Sequence, residues 1–142
     1  MIREMTAADI EAVTAIDSAA FTKAWRTRDF EDELAKDYSY WFIAERDGTA
    51  AGYAGIWCVY ETAELIRIAA APKAQRRGIA SELTEHIIKC AKEHGCDKMM
   101  LEVRESNSAA RALYKKYGFY EISVRKGYYD GENAVIMEKD LV

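Results

Sequence analysis

The chain has 142 residues, 50% hydrophobic and 31% charged, with a net charge of −4, one Pro and 8 Gly. That is the balance of an ordinary globular domain, long enough to bury a core without disulfides or metals, and it excludes collagen-like and low-complexity chains. Overall acidity speaks against a nucleic-acid binder, and the longest apolar run, Ala51 to Tyr60, is broken by Gly52 and Gly55 and is too short to span a membrane.

In chain order, Ile2 to Met5 predicts a short strand. Thr6, with Asp9 three residues on, predicts a capping box and a helix carrying Ile10, Val13, Ile16 and Asp17 to about Ala19. Phe21 to Arg26 reads as a loop, and Thr27 as the N-cap of a second helix bearing Phe30, Leu34 and Ala35. Tyr38 to Glu45 and Ala51 to Tyr60 predict strands joined by a hairpin at Asp47-Gly48, and Ala63 to Ala70 a third. After Pro72, the spacing of Ile79, Leu83, Ile87 and Ala91 predicts a helix ending near Gly95. Lys98 to Val103 predicts a strand, and Asn107 caps a helix with Ala110, Leu113, Tyr114 and Tyr117 on one face and Gly118 just past its end. Phe119 to Arg125 and Ala134 to Lys139 close the chain as strands joined through Asp130-Gly131. The order β-α-α-β-β-β-α-β-α-β-β predicts one α/β (α+β) domain, residues 1–142, around a central mixed sheet, because hairpins and helical crossovers alternate.

Met1 to Met5 lacks the apolar stretch of a secretory signal, and three cysteines make an odd number with no scaffold pattern, so a reducing, cytoplasmic setting is expected. Charge is uneven along the chain. Residues 1–64 hold 13 acidic against 6 basic side chains, and residues 65–142 hold 11 against 14. The front half suits a cationic substrate and the back half an anionic cofactor, unless both are simply solvated surface.

Gln75-Arg76-Arg77-Gly78-Ile79-Ala80 lies between a predicted strand and a predicted helix. A loop there presents backbone N–H groups at the positive end of a helix, which suits phosphate oxygens, and the two arginines add charge-assisted bonds. The alternative is a helix start with solvated arginines. The segment lacks the Gly-Lys-Ser/Thr ending of a Walker A loop and the three glycines of a dinucleotide fingerprint.

Gln-Arg-Arg-Gly-Ile-Ala resembles the Q/R-x-x-G-x-G/A motif of the GNAT superfamily of N-acetyltransferases, with Leu65 to Ala70 similar to the strand that precedes it there. Leu101-Glu102-Val103-Arg104-Glu105-Ser106-Asn107-Ser108-Ala109-Ala110, Ala112-Leu113-Tyr114, Tyr117-Gly118-Phe119, Gly127-Tyr128-Tyr129 and Ala134 to Met137 are similar, more specifically, to the ribosomal-protein alanine N-acetyltransferases. The resemblance implies a GNAT fold, a central mixed, mostly antiparallel sheet of about seven strands flanked by four helices. It implies acetyl-CoA as co-substrate and no metal. Ile68, Ala69 and Ala70 would line the pantetheine arm and supply a backbone oxyanion donor. Gln75, Arg76, Arg77, Gly78, Ile79, Ala80 and Ser81 would hold the pyrophosphate, and Asn107 would contact acetyl-CoA. The implied acceptor is a protein N-terminus, an alanine of small-subunit ribosomal protein eighteen, with the enzyme a monomer or weak dimer. Phe21-Thr22-Lys23-Ala24-Trp25-Arg26 keeps the Trp of the family's Pro-Trp-Ser and lacks its Pro. Trp25, Tyr128 and Tyr129 are then candidates for binding the acceptor.

Moving an acetyl group from a thioester to an amine requires that the amine lose a proton, that a donor meet the charge growing on the thioester oxygen, and that the thiolate be protonated. By position alone, Glu102 is a solvated carboxylate or a partner of Arg104; by resemblance it is the proton acceptor. Tyr114, on the inward stripe of its helix, is by position a core aromatic and by resemblance the proton donor, its phenol pKa near 10 suiting a thiolate of about 8.5 or somewhat higher. Tyr128 and Tyr129 read equally as a strand-edge pair. Amine acetylation in a ternary complex is the favoured activity, with other protein N-termini, Lys or a small amine as alternative acceptors. A non-catalytic acetyl-CoA-binding module is the rival from another class. His86, Cys90 and His94 at i, i+4 and i+8, followed by Cys96, lack the paired ligands of a structural zinc site.

Overall fold

The computed structural model describes residues 1–75 and 77–142. The strands are β1 (Ile2–Glu4), β2 (Ser39–Arg46), β3 (Thr49–Val59), β4 (Thr62–Ala70), β5 (Lys98–Arg104), β6 (Tyr120–Tyr129) and β7 (Glu132–Asp140). The helices are α1 (Ile10–Ala20), α2 (Thr27–Leu34), α3 (Ile79–Glu93) and α4 (Ser108–Lys116), with short 3-10 turns at Ala7–Asp9 and Pro72–Ala74. The strands form one sheet in the order β1-β2-β3-β4-β5-β7-β6. Neighbours are antiparallel except β4 and β5, which are parallel because α3 carries the chain back between them.

Alternation along the strands sends side chains to two cores. On one face, α3 and α4 cover Phe42, Ala44, Met99, Leu101, Val135 and Met137, using Leu83, Ile87, Ala91 and Tyr114. On the other, α1 and α2 cover Trp41, Ile43, Tyr53 and Ala69, using Val13, Ile16 and Phe30. The hairpins at Asp47-Gly48 and Asp130-Gly131 form as expected, with left-handed φ at all four residues.

The helix starts differ in detail from the sequence reading. The Asp9 carboxylate accepts the Thr6 N–H at 2.8 Å, as a capping box should. The second helix is capped one residue earlier than expected. Arg26 holds the cap position and the Asp29 carboxylate accepts its N–H at 2.8 Å, so Thr27 lies inside the first turn. β6 runs past the expected Arg125 to Tyr129, because a bulge between Arg125 and Tyr129 lets the ladder resume, with the Gly127 N–H bonded to Asn133 Oδ1 at 3.1 Å.

One packing contact in β3 yields a test. A Cβ on Gly55 would overlap the indole of Trp41. Gly55→Ala is expected to destabilise the fold by about 1–3 kcal/mol, read as a Tm lowered by several degrees. An unchanged melting curve would show that the indole yields.

Candidate active site

Two irregularities in the sheet make the cleft. The β3–β4 register passes from Ile56↔Leu65 to Gly55↔Arg67, so Ile66 is an extra, bulged residue in β4. The parallel β4–β5 ladder pairs only Thr62, Ala63 and Glu64 with Lys98, Met99 and Met100. Beyond that point the strands part, and the facing backbone groups of Leu65–Ala70 and Leu101–Arg104 have no ladder partner in the described residues. Unpaired backbone N–H and C=O groups beside a cleft are placed to bond a ligand.

The cleft between them has a volume of about 540 Å³. Its walls bring together Ile68, Glu102, Asn107, Tyr114, Tyr128 and Tyr129, which are far apart in sequence. Ala69 and Ala70 follow on β4 and do not line it; Ala69 is buried against the core of α1 and α2.

Glu102 is on the sheet face away from α3 and α4. Its Oε1 is 3.2 Å from Arg125 Nη1 on β6. The expected partner, Arg104, goes instead to Glu132 at 3.2 Å, because the β6–β7 hairpin brings that carboxylate beside the end of β5. Partial burial, and then the neighbouring Glu102 charge, raise the carboxyl of Glu64 above the ordinary range. Tyr114 is 5% exposed and packs edge-on against Phe119, ring centroids 5.7 Å apart. Burial, and then Tyr129, push its phenol up to about 12. Its hydroxyl makes no hydrogen bond to the described residues and borders the cleft. Asn107 caps α4 by accepting the Ala110 N–H at 3.2 Å.

Tyr128 and Tyr129 are set edge to face, 4.9 Å apart, with Arg125 over the first ring at 4.9 Å and Arg104 over the second at 4.5 Å. Burial first, and then Glu102, raise the Tyr129 phenol. Trp25 is not in the cleft wall. It packs against Phe30 at 5.1 Å and Trp41 at 5.6 Å, and approaches the cleft only through Arg67, 4.8 Å from its ring.

The start of α3 lies apart from these walls. Gly78 is its N-cap at φ 79°, a left-handed conformation natural to glycine, and among the described residues nothing lies within 4 Å of where a Cβ would stand. Open space and left-handed backbone are two separate reasons for glycine here. No side chain caps this helix, and the Glu82 N–H is the first to find an intrahelical acceptor, at Gly78 O, 3.0 Å. The first-turn amides of Ile79, Ala80 and Ser81 stand at the positive end of the helix and make no hydrogen bond to the described residues, a seat for phosphate oxygens. The Ile79 side chain is 1% exposed and belongs to the core, so only its amide is on offer. The Ser81 hydroxyl is bonded to that of Tyr117. Gln75 and Arg77 are exposed, and Arg76 falls outside the described residues.

Two ion pairs of the cleft went unread in the sequence. Arg67 and Lys23 both line it; Arg67 is paired with buried Asp17, and Lys23 Nζ reaches Asp130 across the mouth at 3.1 Å. Asp17 on an apolar stripe was the available signal, since a buried carboxylate needs partners. Nothing local announces Lys23–Asp130, which are 107 residues apart.

His86 packs against Phe42, 4.5 Å between ring centroids, and His94 against Tyr40 at 4.1 Å; among the described residues no His, Cys, Asp and Glu group could hold an ion. Nor is any described helix long and apolar enough to cross a membrane.

The parted sheet beside the bulged β4, and the glycine-led start of α3, are what the chain offers a ligand. The chain matches the acetyltransferase (GNAT) family over residues 10–119. It belongs to that family and is an acetyl-CoA-dependent N-acetyltransferase. The [ribosomal protein bS18]-alanine N-acetyltransferase of Escherichia coli K12 is 35% identical, over 96% of this chain and 94% of its own. A Bacillus subtilis relative given the same activity provisionally is 37% identical over 96% and 92%. The crystal structure of the Escherichia coli ribosomal-protein-S18-alanine N-acetyltransferase superposes with a TM-score of 0.92 at 33% identity, covering 99% of this chain and 93% of that one.

Proposed function

We propose that this enzyme acetylates the α-amine of an N-terminal alanine, that of ribosomal protein bS18, by direct attack within a ternary complex. The observation that carries the reading is the meeting of Glu102, Asn107, Tyr114 and the Tyr128–Tyr129 pair in one cleft, at the point where β4 and β5 part. Relatives named for that activity match it over nearly their whole length. A module that only sensed acetyl-CoA would need neither a cleft carboxylate nor an unbonded phenol beside it. Residues 1–142 are read as a single domain acting in the cytoplasm as a monomer or weak dimer.

Acetyl-CoA supplies the acetyl thioester. The first-turn amides of Ile79, Ala80 and Ser81, with Gly78 and the side chains of Gln75, Arg76 and Arg77, would hold its pyrophosphate. The open edge of Ile68–Ala70 would hold the pantetheine arm and offer an N–H to the carbonyl oxygen. Asn107 would contact it from the start of α4. Glu102 takes the proton of the attacking amine, directly or through a water. An α-amine has an unperturbed pKa of about 7.7–8.0, against about 10.4 for Lys, so it asks less of the base. Tyr114 holds its proton until the thiolate leaves. Tyr128 and Tyr129 flank the incoming chain, and Trp25 supports the opposite loop from behind.

Mass spectrometry tests this with acetyl-CoA and two peptides, one beginning Ala-Arg and its twin with a blocked N-terminus and free lysines. One acetyl group on the free-amine peptide alone is the expected result. Acetylation of both overturns the N-terminal specificity, and of neither the proposed acceptor. Gly78→Ala tests the pyrophosphate seat. A left-handed non-glycine residue costs about 1–2 kcal/mol; the free loop can relieve that cost by turning away and acetyl-CoA must restore the turn, so the KM for acetyl-CoA should rise by up to about tenfold with peptide KM little changed. Equal rises in both would overturn that placement.

A further inference from the structure

Asp17 is completely buried, near the end of α1. A carboxylate there must be met by donors, and it has four bonds. Arg67 Nε donates to Oδ1 at 2.7 Å and Nη2 to Oδ2 at 3.0 Å. The Trp25 backbone N–H donates to Oδ2 at 2.7 Å, and the Tyr53 hydroxyl to Oδ1. Arg67 follows the bulged Ile66 on β4 and lines the cleft. Its guanidinium also reaches the loop between α1 and α2. Nη2 donates to the Lys23 carbonyl at 3.2 Å, and the group lies 3.9 Å from the centre of the Phe21 ring. Phe21 and Lys23 are themselves cleft residues.

Arg67 is thus bound at once to a buried anion, to a loop carbonyl and to an aromatic face. Only a planar fork of donors can do all three. Its charge is matched by Asp17, so what it contributes to the cleft wall is shape. The tie at the outer end of the loop, Lys23 to Asp130, joins two side chains that are 81% and 70% exposed, and such pairs hold weakly. The inner tie therefore decides where Phe21 to Lys23 stand.

We propose that Arg67, anchored by Asp17, is a positioning residue for the acceptor: it fixes Phe21–Lys23 as one wall of the acceptor side of the cleft and joins that wall to β4. This rests on the acetyl-transfer reading above. A wall already ordered spares the incoming chain the cost of ordering it. The seat proposed for pyrophosphate is at the start of α3 and includes none of these residues. Loss of the tie should therefore raise the acceptor's KM and leave that of acetyl-CoA alone.

The test is steady-state kinetics with each substrate varied in turn, on the wild type, Arg67→Gln, Arg67→Lys and Phe21→Ala, with acetyl-CoA affinity measured by calorimetry. Arg67→Gln should raise the peptide KM about tenfold or more, with acetyl-CoA KM and affinity within about twofold of the wild type. Arg67→Lys should recover part of the loss, because an ammonium can pair with Asp17 and cannot also cover Phe21 and reach the Lys23 carbonyl. Phe21→Ala leaves the ion pair intact and should also raise the peptide KM, so it decides the matter should Arg67→Gln not fold. Equal rises in both KM values, a loss confined to kcat, full recovery by lysine, or a normal peptide KM in Phe21→Ala would each overturn the proposal. Failure of the alanine reading would show separately, in the wild type. The same comparison is then made on whichever amine peptide the wild type accepts.

Discussion

Glu102→Gln is expected to lower kcat on the order of a hundredfold near neutral pH, within the range typical of a lost general base. The deficit should widen as pH falls below about 8, where an α-amine carries its proton and has to give it up in the site. In the variant the rate should follow the free-amine fraction, dropping about tenfold per pH unit. The wild type, with a base in the site, should fall less steeply. Glutamine keeps the size and an acceptor oxygen for Arg125, and that pair, 3.2 Å long with Arg125 half-exposed, contributes at most about 1 kcal/mol. The variant should therefore melt within a few degrees of the wild type. A ratio of wild-type to variant rates that stays constant across pH would remove Glu102 from the proton path.

Tyr114→Phe is the second large effect. The phenol has no hydrogen-bond partner in the described residues, and phenylalanine keeps the edge-on contact with Phe119 at 5.7 Å. Stability and acetyl-CoA affinity should therefore be unchanged within about twofold, while kcat falls on the order of a hundredfold as the departing thiolate loses its proton source. Burial has raised this group to about 12, and the sign matters. A raised phenol stays protonated across the neutral range, so it is available as a donor at every working pH. It is also a weaker acid than free tyrosine and a poorer match to a solvated thiolate, so it donates only because the thiolate forms beside it in the same desolvated site, where burial raises the basicity of the thiolate as well. The wild-type profile should accordingly show no descending limb from this group below about pH 11. Normal kcat in the variant would return Tyr114 to the core, where position alone had put it.

Much of the fold was readable because it is written locally. Alternation in Trp41-Phe42-Ile43-Ala44 separates the two cores, and the stripe Ile79, Leu83, Ile87, Ala91 is the buried face of α3. Asn107 bonds the amide it was expected to bond. Caps and strand limits slipped where one side chain decides them, as when Asp29 chose Arg26 over Thr27. The resemblance supplied what position could not, the proposed roles of Glu102 and Tyr114, each of which has an ordinary structural reading on its own.

Periodicity and turn residues, both short-range, were enough for the element order, the α/β class and the glycine-led start of α3, and the resemblance of short motifs gave the family. The cleft belongs to long-range packing. Its opening depends on a one-residue bulge at Ile66 and on a parallel ladder that stops at Glu64–Met100, neither of which has a local signal. The partner of Asp17 stands 50 residues away, and only the folded sheet brings a guanidinium to it. Trp25 was a cleft candidate by resemblance and packs instead against Phe30 and Trp41, because an indole partly buried among aromatics is more favourable than one left in a solvated wall.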